Sequence, residues 1–196
     1  MDAGRFAQGV TFSEFVASAV QLKELWDDAV KRLPVPDGLI AELHEVPGHW
    51  HLVALTEDWC LDAVSTLTPV AKLLDQAYNT DLRVFLRDRN LDIMDTHQTD
   101  GGRSIPIVIL YDEAWQERAW WGPRPAELQA WVKANGKIVP KEEKYRHIRG
   151  WYARDHGQTA LREVLDMIAN ASGTPRTLSA SVHVTAKRAH TENTTT

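Results

Sequence analysis

The sequence predicts an α/β fold, a mixed sheet flanked by helices, with further helices before and after it. Two patterns carry this. Apolar runs and helical periods alternate β, α, β, α, β between Trp50 and Tyr111, and the next apolar run starts within hairpin distance of the last strand. Outside that block, residues 11–33 and 141–169 repeat apolar side chains every three or four positions, the period of a helix with one buried face.

Taken in order, Phe12, Phe15, Ala19, Leu22, Trp26, Ala29 and Leu33 predict one amphipathic helix over 11–33, opened by a capping box of Thr11 and Glu14. Pro34, Pro36 and Gly38 stop it, and a short helix is expected around Leu39 to Leu43. Trp50 to Thr56 is short and apolar, as a strand covered on both faces should be. Val64, Leu67, Val70, Ala71 and Leu74 then take helical spacing, so the strand runs directly into a helix ending near Ala77. A second strand over 82–87, a short helix over 90–98 and a third strand over 105–111 follow. The first two strands are expected to pair in parallel through a right-handed crossover. The run 115–121 makes an antiparallel hairpin with the third, Gly122-Pro123 breaks it, and a helix over 125–134 closes the fold. Helices over 141–155 and 159–169, split by Gly157, come last. The expected organisation is a helical extension (1–48), an α/β core (49–136), C-terminal helices packed on the core (137–171) and a polar, Thr-rich disordered tail (172–196).

Composition limits the partners. The chain is 43% hydrophobic and 25% charged, with a formal net charge of −5. It therefore offers no basic field for phosphates, and nucleic acid is not an expected partner. No segment is apolar for long enough to form a secretory core or cross a bilayer, so a cytoplasmic protein without a membrane partner is expected. Cys60 is the single cysteine. It can form no internal disulfide, which suits a reducing compartment and leaves it either an inert core thiol or a reactive one.

Four local features occur in a telling order: Trp59-Cys60 at a strand-to-helix turn, Ser104-Ile105-Pro106 before a strand, a hairpin ending at Gly122, and an amphipathic helix after it. Over about residues 50–134 the chain resembles the thioredoxin superfamily, and Thr-Glu-Asp-Trp-Cys-Leu-Asp-Ala with Gly-Gly-Arg-Ser-Ile-Pro is similar to a bacterial branch of it. The resemblance implies a thioredoxin-like sheet and puts Cys60 at the attacking position, with Leu61 and Asp62 next. Ala63 then stands where a two-cysteine thioredoxin has its resolving thiol. Ala54 stands where thioredoxins often keep a buried acid, so both parts of the resolving step are missing together. Trp59 becomes one wall of the site, and Ile105, before a cis Pro106, offers its backbone to an extended substrate. Pro69 falls one residue later than the kink proline of ordinary thioredoxins.

The chemistry that follows is monothiol exchange. A thiol reacts as its thiolate, which a helix N-terminus favours by about 0.3–1 kcal/mol when exposed. Glu57, Asp58 and Asp62 oppose it as like charges. Arg87, Arg89 and Arg103 are the candidate cations for an anion or the thiolate, the first two following a strand at its carboxyl edge. A mixed disulfide on Cys60 would need an external thiol for release, so a protein or small-molecule disulfide is the expected partner and a low-molecular-weight thiol the expected co-substrate. No bound cofactor is expected. His49 and His51 share a strand face, but no cysteine or acid pair at ligand spacing accompanies them, so no metal is expected either. The stripe Tyr145, Ile148, Trp151 and Tyr152 lies on the domain or roofs the Cys60 site. The residues leave a rival open: a thioredoxin-fold binding or scaffold module that uses no thiol chemistry. A peroxidase fits less well, because only Thr56 stands near Cys60 where that chemistry expects proline and threonine together.

Overall fold

The computed structural model describes residues 1–174. The chain begins with four helices, α1 (Ala3–Phe6), α2 (Phe12–Ser18), α3 (Lys23–Arg32) and α4 (Asp37–His44). The Thr11/Glu14 capping box forms as expected. The single helix expected over 11–33 does not, because the chain turns between α2 and α3, with Leu22 left-handed at φ 53°. A distant carboxylate causes the break: Asp58 accepts hydrogen bonds from the backbone N–H of Val20 (2.9 Å) and Gln21 (2.8 Å), groups that an uninterrupted helix would use itself. The Trp26 indole, fully buried, donates to the Asp58 carbonyl at 2.8 Å. The N-terminal helices thus clamp the loop that leads to Cys60.

Then follow β1 (Trp50–Thr56), α5 (Leu61–Asp75), β2 (Thr80–Leu86), a 3-10 turn at Arg87–Arg89, α6 (Leu91–Met94), β3 (Ile107–Tyr111) and β4 (Glu117–Trp121). The sheet order is β2-β1-β3-β4, with β1 and β2 parallel and the other pairs antiparallel. This is the mixed α/β sheet that the alternation of elements predicts. The helix expected over 90–98 is shorter, and β3 starts two residues late, after Pro106. Every residue of β3 is buried, and Val10 adds a one-residue antiparallel bridge to Val84 at the β2 edge.

The last helices are α7 (Ala126–Asn135), α8 (Lys141–Asp155) and α9 (Gln158–Ala171). The helix that closes the fold is α9, not α7. It packs on α5 and β4 and buries Leu161, Val164, Leu165 and Ile168, whereas α7 packs chiefly on α8 through a small separate cluster of Leu128, Ile148 and Tyr152. The expected core boundary at 136 therefore shifts: α7 and α8 are a helical excursion between β4 and α9. Glu163 of α9 secures its start by accepting hydrogen bonds from the Trp121 indole (2.6 Å) and the Ala126 N–H (2.9 Å). Burial pushes the Glu163 carboxyl above the usual carboxylate range. Residues 172–174 continue from α9 through backbone hydrogen bonds, and the rest of the expected disordered tail lies outside the described residues.

Candidate functional site

Cys60 is the N-cap residue of α5, delivered there by β1 and the loop that Asp58 pins to the N-terminal helices. Its thiol makes no capping hydrogen bond and instead donates to the Ile105 carbonyl at 3.4 Å. The Ile105–Pro106 peptide is cis, and both residues are buried at the head of β3. The sulfur and the proline-led segment therefore face each other. They form the floor of a cleft of about 910 Å³ whose rim includes Trp59, Leu61, Arg87, Arg103 and Arg124. Among the described residues of α8, Tyr145, Ile148 and Tyr152 form its roof, while Trp151 instead packs beside Tyr152 in the α7–α8 cluster.

Burial changes the chemistry of the thiol. Cys60 is only 6% exposed, and burial pushes its pKa up to about 11. The N–H groups of Ala63 and Asp62 favour the thiolate, the Asp62 charge opposes it and the Arg124 charge supports it. At rest the group is therefore a protonated thiol bonded to a carbonyl, not the thiolate that disulfide exchange requires. Desolvation of the sulfur by its burial in the main core outweighs the helix terminus.

Asp62, in the first turn of α5, holds the cleft together. Arg124 approaches its carboxylate at 2.5 Å and the Tyr152 hydroxyl donates to it at 2.8 Å. This places a strand-to-helix loop, the first turn of α5 and the roof helix on one carboxylate. Burial and the neighbouring Asp62 charge raise the Tyr152 pKa, so its phenol stays protonated. Glu57 and Asp58, the other acids near the thiol, are turned to backbone N–H groups of Asp88 and of Val20 and Gln21.

The cations sort differently from expectation. Arg87 lies over the Trp59 ring at 4.9 Å and donates to the Arg103 carbonyl at 3.1 Å, so it shapes the wall. Arg103 reaches the cleft but is held by Asp95 through two hydrogen bonds of 2.6 and 2.9 Å. Arg89 is exposed on the 3-10 turn and does not line the cleft. The cation that acts on the sulfur is Arg124, which sequence reasoning missed; its signal is a charge directly after the Gly122-Pro123 break that ends the hairpin.

A family profile described as Thioredoxin matches residues 9–144. The chain belongs to the thioredoxin family. Ala63 and Ala54, the positions at which the resemblance expects a resolving sulfur and an internal acid, are both fully buried. The match begins at residue 9 and so takes in most of the N-terminal helices. The fold is similar to a crystal structure of a protein of unknown function from Pseudomonas aeruginosa, with 20% identity, a TM-score of 0.65, and coverage of 85% of this chain and 95% of the other. An HIV epitope scaffold is similar to the same degree, with 20% identity, a TM-score of 0.65, and coverage of 86% and 97%. No curated protein matches the sequence significantly. No helix among the described residues is long and apolar enough to cross a membrane.

Proposed function

We propose that this thioredoxin-family chain performs monothiol exchange through Cys60, with the α8 roof keeping the thiol quiet until a disulfide enters the cleft. The observation that carries this reading is the placement of Sγ at the head of α5, 3.4 Å from the carbonyl that precedes Pro106, on the floor of a cleft large enough for a small disulfide or a peptide segment. Movement of α8, which lines the cleft, would widen access to the buried thiol, while Arg124 and the N–H groups of Asp62 and Ala63 remain to favour the thiolate. The Cys60 proton passes to solvent. The thiolate then attacks one sulfur of the substrate, the S–S bond breaks, and the departing half leaves as a thiolate that takes up a proton. With Ala63 in the resolving position, the mixed disulfide waits for an external thiolate. That thiolate attacks the retained substrate sulfur, forms a new disulfide with it and returns Cys60 as a thiolate, so the two steps exchange disulfide partners without net oxidation.

Intact mass measurement after incubation with glutathione disulfide tests this. One adduct is expected on the native chain, released by added thiol and absent in Cys60→Ser; a native chain that takes no adduct ends the reading. Alkylation by iodoacetamide checks the resting state separately. Its rate should keep rising through pH 9, since the folded thiol titrates near pH 11. A plateau reached below pH 8 would contradict the roofed thiol.

The raised pKa also supports a second reading, in which the cleft binds a ligand as a scaffold and the thiol is a packing group. In that case Cys60→Ser keeps every cellular function.

A further inference from the structure

At the opposite end of β1 from Cys60, the strand pairing assembles a second cluster that the sequence does not announce. His49 stands just before β1 and His51 lies within it, two residues apart and therefore on one face. The parallel register sets Asp81 of β2 directly beside His51. His49 Nε2 lies 2.7 Å and His51 Nδ1 3.6 Å from the same oxygen, Asp81 Oδ2. One ligand atom from each residue lies within 4.8 Å of the others.

The geometry points to a binding site for a divalent transition cation, zinc by its donor set, on His49, His51 and Asp81. Two imidazoles and a carboxylate match the borderline preference of zinc for nitrogen and oxygen ligands. Three protein ligands leave a fourth position for water or another ligand. At zinc–ligand bonds of about 2.0–2.1 Å, tetrahedral neighbours stand about 3.3 Å apart. His51 Nδ1 and Asp81 Oδ2 already approximate that spacing, and His49 must withdraw by roughly 0.6 Å from a hydrogen bond that the ion would replace.

Three further observations support the assignment. His51 Nδ1 is buried and has no hydrogen-bond partner, so a ring nitrogen that can serve as a ligand is held there at the cost of desolvation. The ring itself is fixed, stacked on Trp115 with centroids 4.1 Å apart and planes 5° from parallel, with Phe6 on another side at 5.3 Å. A second carboxylate, Glu113, accepts the His49 backbone N–H at 2.8 Å and anchors the first ligand residue. Solvent reaches the cluster through His49 and Asp81, whose side chains are 38% and 49% exposed.

Zinc ions alone, titrated into the full chain by calorimetry, supply the test. One equivalent is expected to bind, and both His49→Ala and Asp81→Asn should weaken binding by at least about tenfold. Both substitutions are at half-exposed positions, and their metal-free melting temperatures should stay near that of the native chain. Zinc should also raise the melting temperature of the native chain but not of the variants, because the ion binds the folded state. Absence of binding, or affinity unchanged in both variants because zinc sits on Cys60 or on histidines elsewhere, overturns the assignment. Cys60→Ser should bind zinc as the native chain does, which separates this site from the thiol.

Discussion

Arg124→Ala is expected to cost about 3 kcal/mol of stability, because it strands the Asp62 carboxylate without its cation. Both side chains are largely buried, at 20% and 14% exposure, so water cannot take over the lost contact. In a chain of this size the loss should lower the melting temperature by roughly 6–12 °C. Tyr152 still donates to Asp62, but a single neutral donor does not balance a buried charge. Adding Asp62→Asn to Arg124→Ala should restore part of the stability, since an amide is far cheaper to bury alone than a carboxylate. A melting temperature within 2 °C of native for Arg124→Ala would mean that the pair is screened by solvent and does not organise the cleft.

Gly122→Ala should be the more damaging of two glycine substitutions. Gly122 follows β4 with φ 129°, a region that side chains rarely occupy, and a Cβ there would stand 2.2 Å from the Pro106 carbonyl oxygen and 3.2 Å from Ile107 Cα. Backbone, not a flexible side chain, is in the way, and it is the same backbone that floors the Cys60 cleft. Strain and displacement together should cost at least about 3 kcal/mol. Gly101 is the internal control: its φ is also positive, at 76°, but nothing lies within 4 Å of its Cβ position. Gly101→Ala should therefore cost only about 1–2 kcal/mol, the left-handed backbone penalty. Equal denaturation midpoints for the two variants would show that close approach at Gly122 carries no energy.

The elements that could be read directly were those whose burial depends on their own sequence. Trp50–Thr56 is a strand on both counts because a continuous apolar run suits a strand with neighbours on each side, and α8 occupies the expected 141–155. The breaks came from partners distant in the chain. No periodicity within 11–33 can register that Asp58 will take the amides of Val20 and Gln21. Likewise, amphipathicity identifies α7 and α9 as helices without saying which of them meets α5.

The candidate site divides along the same line. Cys60, Trp59 and Ile105 converge on the cleft as the turn and the strand start imply, with Pro106 following Ile105 through the cis peptide and Leu61 and Asp62 completing the first turn. Arg124 enters from the far end of the hairpin, and the charge of Asp62 is answered from α8 and the β4–α7 loop. The direction of the Cys60 shift could not be read either. Local charges and the helix terminus were visible, but the desolvation that decides the balance comes from the assembled core, including Ile105 some forty-five residues away, whose carbonyl takes the thiol proton. The acid partner of His49 and His51 was hidden in the same way, since Asp81 becomes their neighbour only through β1–β2 pairing.

The excursion formed by α7 and α8 leaves the core after β4 and rejoins it at α9, so its unfolding need not disturb the sheet. Among the described helices of ten or more residues, deuterium uptake should therefore be fastest in 141–155, with β1 and β3 slowest, and in the proposed exchange the opening rate of that helix would set how often the sulfur meets the outside world. Reactivity at this thiol then becomes a matter of timing, governed by how frequently one helix lets go.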